Sequence, residues 1–175
     1  MIQTNMITPH ASRPLRNLFL ALCFLGVCTT ACKKSGSGSG EIDPRDQYVG
    51  TYDGGYTTQT LINNALPYAD EAGKVTIAVS KSQAVNELYL DFTFNSTTKE
   101  RRTAQLTDNK FTITDKQSET IYFGTDSKGS PVGYDAAYTA TGQFTENNLL
   151  LTTKSETRAV SQLLTKNGSI TCTKK

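Results

Sequence analysis

The chain is poor in the side chains on which most enzyme active sites depend. Its 175 residues include no tryptophan and one histidine, His10. His10 belongs to an amino-terminal segment with the features of a cleaved leader, so we predict a mature chain without histidine. That absence excludes Ser-His-Asp and Cys-His arrangements and leaves zinc without imidazole ligands. We therefore predict a protein that is not an enzyme, with no catalytic residues, no metal site and no cofactor.

Charge and hydropathy exclude two further classes of protein. The mean hydropathy is −0.40, which is too low for a protein with several membrane spans. The whole chain has 18 Lys and Arg against 16 Asp and Glu. Removing residues 1–31 takes away Arg13 and Arg16 and no acid, so the mature formal charge is zero. A neutral chain has no basic field to attract nucleic acid, and we predict no nucleic-acid partner.

The first 31 residues have the pattern of a secretory signal peptide. Two arginines precede an apolar run over residues 18–28, which is too short to span a bilayer as a helix but fits the apolar region of such a signal. Ala31 directly precedes Cys32, and this junction resembles a bacterial lipoprotein signal, in which the Cys is acylated. We predict a lipoprotein signal peptide over residues 1–31 and lipid attachment at Cys32. The alternative is a secretory signal without lipidation, cut near Ala31.

Residues 32–46 are predicted to form the lipidated Cys32 and a flexible linker. Serine and glycine alternate over residues 35–40, a composition typical of flexible coil. Pro44 and three acidic residues are expected to keep the rest of this segment in solvent. The folded domain is predicted to span residues 47–175.

Acylation at Cys32 would make the lipid bilayer a partner of the protein, because two or more acyl chains hold a chain on a membrane stably. Lys33 and Lys34 follow the anchor where an acidic run would accompany export to the cell surface. We therefore expect a cell-envelope protein on the outer membrane, facing the periplasm rather than the surface. Cys172 would then be unpaired, and an odd thiol in an oxidising compartment is expected to be buried.

Apolar and polar residues alternate through most of residues 47–175. The period of two is clear over residues 74–81, 87–94 and 132–144, and residues 155–164 are assigned to a strand as well. Such alternation predicts half-buried antiparallel strands. Asn167-Gly168 is among the predicted turns between them. We predict an all-β fold of about eight to ten strands in a single up-and-down barrel, with a two-sheet β-sandwich as the alternative.

Two stretches resemble a known family. Gly50-Thr51-Tyr52 opens the domain, and Gly142-Gln-Phe144-Thr-Glu-Asn-Asn-Leu149 lies near its end. They resemble the small lipocalin-like (calycin-like) domains of lipoproteins from Bacteroidota, where Gly-x-Tyr or Gly-x-Trp opens the first strand and a Gly-x-Phe-x-x-Asn-x-Leu hairpin comes late. The resemblance covers residues 47–175 and implies a lipocalin-like barrel.

Aromatic side chains at even spacing are the main binding signal. Tyrosines within a barrel mouth would give an apolar wall with polar tips. The candidate ligand-lining residues are Tyr52, Tyr56, Phe92, Phe94, Tyr134 and Tyr138. The alternative is that these rings simply fill the barrel.

We predict that the domain binds a small apolar or amphipathic ligand without catalysing a reaction. A surface interaction or inhibitor module without a ligand cavity is the first alternative. A carboxylate-dependent hydrolase is the second, with Asp53, Asp91 and the pair Asp70-Glu71 as the acids to consider. The basic cluster at residues 99–102 is predicted to be a solvated turn between strands, the alternative being contact with anionic headgroups.

Overall fold

The structure is a computed structural model that describes residues 42–175. The predicted signal peptide, Cys32 and the Ser-Gly linker therefore lie outside the described residues. Nine strands are present in this part: β1 (Gly50–Ile62), β2 (Leu66–Lys81), β3 (Glu87–Phe94), β4 (Thr98–Thr107), β5 (Lys110–Ile113), β6 (Ser118–Thr125), β7 (Pro131–Thr145), β8 (Asn148–Ala159) and β9 (Gln162–Lys174). Within residues 42–175, no helix has the length and apolar character needed to cross a membrane.

The strands form one antiparallel barrel. Their order is β5-β4-β3-β2-β1-β9-β8-β7-β6, and β5 also pairs with β7, which closes a ring of eight strands. β5 pairs with residues 141–143 of β7 and β6 with residues 131–137, so β5 and β6 share one edge of β7. The predicted single antiparallel barrel is confirmed, and the closing pair excludes the two-sheet sandwich.

The barrel has a closed half and an open half. In the closed half, β3 pairs with residues 75–81 of β2, and each of the eight strands of the ring has a strand on both sides. In the open half, the edge of residues 66–73 of β2 that faces away from β1 and the edge of β6 that faces away from β7 have no strand beside them among the described residues. We call the gap between these two edges the side window. Tyr68 crosses it: its ring centroid lies 4.9 Å from that of Phe123, and its hydroxyl accepts the Gly124 N–H at 3.1 Å.

Each half has its own apolar cluster. The main cluster fills the closed half with aromatic and branched side chains, of which Ile77, Leu88 and Leu90 have no exposed surface. The second cluster lies in the open half and consists of Ile121, Ala136, Ala159 and Leu164, with Ile62, Phe123 and Tyr134 packed against it. Cys172 is buried in the main cluster with a free thiol, and burial raises its pKa to about 11. The thiol therefore stays protonated and unreactive.

The segment before β1 is attached to the barrel, which differs from the predicted linker up to residue 46. Arg45 is 8% exposed and donates hydrogen bonds to the carbonyls of Ser82 and Glu87, at 3.1 Å each, and of Ala84. Asp43 pairs with Arg45 at 2.8 Å. The guanidinium thus satisfies three carbonyls of the β2–β3 turn, so residues 43–46 belong to the folded body.

The predicted turn at Asn167-Gly168 is wrong, because both residues lie inside β9. The chain instead reverses at residues 160–161, where Val160 has a φ of 58° and is 92% exposed. Gly168 is buried among inward-facing positions, and a Cβ there would lie 2.3 Å from Oγ1 of Thr153. The glycine is needed for this close approach and not for a turn.

Candidate functional site

A cavity of about 290 Å³ adjoins the main cluster. Its wall in β9 runs from Ile170 of that cluster to Lys166, the inward position next to Leu164 of the second cluster, so the cavity lies between the two clusters. Its volume is at the lower end of the range for small-molecule sites, about 300–1,000 Å³. All nine strands contribute to its wall, as does the link between β5 and β6. It is therefore an interior space of the barrel.

One part of the wall is apolar. It is formed by Phe92, Phe94, Ile113, Leu151 and Ile170. The rings of Phe92 and Phe94 lie nearly parallel with centroids 5.7 Å apart, and Tyr56 meets Phe94 edge-on at 5.2 Å. These contacts hold the aromatic surface rigid on the side where the cavity adjoins the main cluster.

Tyr56 is fixed by a hydrogen-bonded group at the same wall. Its hydroxyl donates to Oε1 of Glu71 at 2.6 Å and accepts from Nδ2 of Asn95 at 3.1 Å. Asn95 in turn accepts the N–H of Lys74 at 3.0 Å. The hydrogen bond to Glu71 and, after it, burial raise the pKa of Tyr56. The phenol is therefore held as a donor to the carboxylate.

Another part of the wall is formed by Glu119, Lys116 and Lys166. Together with Ser155, which contacts Glu119, we call these residues the Glu119 cluster. Nζ of Lys116 lies 3.4 Å from Oε2 of Glu119, and Nζ of Lys166 lies 4.0 Å from Oε1. The Ser155 hydroxyl donates to that same Oε1. Both oxygens of one carboxylate are thus occupied, and two ammonium groups share it.

Tyr138 stands beside the Glu119 cluster. Nζ of Lys116 lies 4.2 Å from the centroid of its ring, within range of a cation–π contact. Burial raises the pKa of Tyr138 strongly, and the negative charge of Glu119 adds to the effect. The hydroxyl is therefore protonated at any ordinary pH and can offer a hydrogen bond.

The basic cluster at residues 99–102 is not the solvated turn that the sequence predicted. It lies within β4, where successive side chains face opposite sides of the wall. Glu100 lines the cavity and pairs with Arg102 at 2.5 Å. Arg101 lies on the outer side, is 61% exposed and pairs with Asp91 at 2.7 Å. Half of the cluster is thus internal.

Four of the six candidate ligand-lining residues border the cavity: Tyr56, Phe92, Phe94 and Tyr138. Tyr52 is 1% exposed in the main cluster, and its hydroxyl donates to the carbonyl of Tyr48 at 2.9 Å. Tyr134 packs on the second cluster. That these residues contact a ligand stays a prediction.

Most of the acids considered for catalysis lie away from the cavity. Asp53 pairs with Lys175 at 2.5 Å and accepts from Thr76, and Asp91 is bound to Arg101. Of those acids, Glu71 is the one that lines the cavity. Among residues 42–175, no group of three His, Cys, Asp or Glu is arranged to hold a metal ion.

Apart from Glu71, sequence reasoning missed the charged residues in and beside the cavity. Glu100, Arg102, Glu119 and Lys166 occupy inward positions of strands, but a polar residue in an alternating pattern has the same appearance on either face. A signal was nevertheless present, since in β9 the inward series runs from Leu164 through Lys166 to Ile170. A charge in register with buried residues indicates a polar interior.

Comparison with known proteins gives structural likeness only. No family model matches the sequence, and no curated protein matches it. Among solved structures, a protein of unknown function of the DUF3598 family from Nostoc punctiforme is similar, with 11% identity, a TM-score of 0.42, and 74% of this chain and 48% of that chain covered. This chain therefore spans about half the length of that protein. The S-type phycobiliprotein lyase from Guillardia theta is also similar, with 10% identity, a TM-score of 0.39, and 79% and 98% covered.

The prediction that the protein is not an enzyme is contradicted by the second of these structures, because that protein is named as a lyase. We do not keep it. At 10% identity and a TM-score of 0.39, however, the likeness assigns no reaction, substrate or catalytic residue to this chain. The candidate site is therefore interpreted from its own geometry.

Proposed function

We propose that the barrel binds a small amphipathic molecule in the cavity between its two apolar clusters. The observation that carries this proposal is an interior space of about 290 Å³ with an apolar wall on one part and a charged wall on another. A molecule with an apolar body and a polar group would match both surfaces.

The contrast with the closed half supports the proposal. There the lumen is filled by Tyr52, Phe144, Leu88 and Leu90, each buried to 2% exposure or less. Tight packing is the normal state of a protein interior. A space that this chain could have filled in the same way, but lines with charged and aromatic groups, is therefore suited to a ligand.

Access is provided by the side window. Residues 66–72 of β2 are exposed, and the edge of the strand there is free of a neighbour in the described part of the chain. Glu71 of this segment also lines the cavity. A ligand can therefore reach the interior beside β2 without opening the closed half.

The test is binding of a neutral fluorescent probe, N-phenyl-1-naphthylamine, to the full chain. Thr153 lines the cavity and its neighbour Thr152 is exposed on the outer face of β8, so Thr153→Phe and Thr152→Phe form a matched pair. We expect probe fluorescence to rise with the unmodified chain and with Thr152→Phe. It should be lost with Thr153→Phe. No binding by the unmodified chain, or equal binding by both variants, would contradict the proposal.

We also propose that Cys32 attaches the protein to the outer membrane, on its periplasmic face. The support is the sequence alone: the apolar run, the Ala31-Cys32 junction and the Ser-Gly segment that follows. Mass spectrometry of the amino-terminal peptide from bacterial membranes tests it. We expect an acylated Cys32, and a Cys32→Ser chain that leaves the membrane fraction. An unmodified Cys32 would overturn the proposal.

A further inference from the structure

The Glu119 cluster carries an excess positive charge inside the barrel. Lys116 and Lys166 both pair with Glu119, so two cations share one anion. The side chains of Glu119, Lys116 and Lys166 are 18%, 19% and 28% exposed. Partly buried charge without full compensation is unfavourable, and a further anion at this place would be stabilised.

Glu100, the other carboxylate that lines this wall, does not supply that anion. Glu100 is already paired with Arg102 at 2.5 Å, so this pair adds no net charge. Nε of Arg102 is buried and has no hydrogen-bond partner in the described part of the chain. The donors at this wall thus outnumber the acceptors available to them.

At Glu71 the uncompensated charge is negative. Its carboxylate accepts from Tyr56, and no lysine or arginine in residues 42–175 pairs with it. A ligand with a second anionic group near β2 would be repelled there, whereas an apolar or donor group would be accepted. The cavity therefore favours a ligand with one anionic group over a ligand with two.

We propose, on the basis of the proposed ligand binding, that the ligand is a small organic monoanion with an apolar body whose anionic group binds between Lys116 and Lys166. The Tyr138 ring lies beside Nζ of Lys116, and its hydroxyl is a further donor for the same group. Phe92, Phe94 and Ile113 then contact the apolar body. A carboxylate is the simplest anion of this kind, because ammonium and hydroxyl donors bind its two oxygens.

The experiment uses three probes that share one body: 3-phenylpropionate, 3-phenylpropan-1-ol and 3-phenylpropylamine. Each is titrated into the full chain, and amide chemical shifts in two-dimensional NMR spectra report both affinity and site. Because hydrogen bonds to a charged group are the stronger ones, we expect the carboxylate to bind about tenfold more tightly than the alcohol. The amine should bind most weakly.

Two variants locate the anionic group. Lys116→Met and Lys166→Met keep the length and apolar stem of the side chain and remove its charge. Each should weaken binding of the carboxylate about tenfold and leave the alcohol unchanged. Lys154→Met is the matched control, since Lys154 lies on the outside of β8, 55% exposed and paired with Glu156. It should change neither affinity.

The outcomes separate this inference from the proposed function. If the alcohol binds in the cavity as tightly as the carboxylate, or if Lys116→Met and Lys166→Met leave the preference intact, the anion site is refuted while ligand binding stands. If neither the three probes nor the neutral fluorescent probe binds, the proposed function fails and this inference with it. Circular dichroism of each variant shows that a lost interaction is not lost folding.

Discussion

The closed and open halves of the barrel are built largely from the same strands, but they differ in strand pairing and in how their interior is filled. In the closed half, eight paired strands surround a lumen filled with aromatic and branched side chains. In the open half, six strands curl around a smaller apolar cluster and leave a window between β2 and β6. The cavity lies where one arrangement gives way to the other. The closed half is therefore filled by its own side chains, and the unfilled space lies at its junction with the open half.

Truncating one buried leucine in each half should cost more free energy of unfolding in the closed half than in the open half. Leu88 and Leu164 both have no exposed surface, but Leu88 belongs to the main cluster and Leu164 to the smaller one. Since Leu→Ala costs depend on how far the site can collapse, we expect about 4 kcal/mol for Leu88→Ala and about 2 kcal/mol for Leu164→Ala. Urea unfolding measures both. Equal costs would show that the two clusters are equally constrained.

A second prediction concerns the junction of the halves at Gly168. A methyl group on Gly168 would lie 2.3 Å from Oγ1 of Thr153, so Gly168→Ala should destabilise the barrel by about 1–3 kcal/mol. Thr153→Ala removes that oxygen and should restore most of the loss in the double variant. A double-mutant cycle in urea gives the coupling energy. Purely additive effects would mean that Gly168 is required for another reason.

The period of two predicted the barrel because both halves obey it. The strands over residues 74–81 and 87–94 were found within β2 and β3, and the strand count of nine lies in the predicted range. Alternation does not show which face is inside when both faces carry polar residues, as in β4. The charged run at residues 99–102 was predicted to be a solvated turn, although it lies within β4, where Glu100 lines the cavity and pairs with Arg102.

The turn predicted at Asn167-Gly168 was wrong because the residue type did not indicate the local structure. Asn-Gly is a strong turn signal, yet Gly168 serves close packing inside β9. The true turn contains Val160, a β-branched residue in a conformation that such residues rarely adopt. The contact of Arg45 with the β2–β3 turn was equally hidden, since a long-range contact leaves no trace in local composition. The sequence thus indicated the aromatic rings of the cavity, whereas of their charged neighbours only Lys166 left a signal, in the inward series of β9.

Asp43, which is bound at the closed half, should contribute to the pH dependence of stability at acidic pH. Hydrogen bonds from Arg45 hold the pKa of Asp43 well below its usual range. Between the folded and unfolded pKa values of Asp43, the unfolded chain binds more protons than the folded chain. The contribution of Asp43 to the free energy of unfolding is therefore complete above its unfolded pKa of about 3.9 and is lost as the pH falls through the lower folded value. We expect thermal stability to fall less steeply below about pH 4 in Asp43→Asn than in the unmodified chain. Asp70→Asn, in the open half and exposed, should keep the steep fall.

A substitution at the side window should have little effect on global stability. Tyr68→Phe removes the hydroxyl that accepts the Gly124 N–H at 3.1 Å but keeps the ring that packs on Phe123. An exposed hydrogen bond of this kind contributes about 1 kcal/mol or less, so global stability should hardly change. Amide exchange at Gly124 should accelerate while amides of Leu88 and Leu90 keep their protection, because local opening does not require the closed half to unfold. Equal acceleration at all three amides would mean that the two halves open together, and the window would then be no separate route to the cavity.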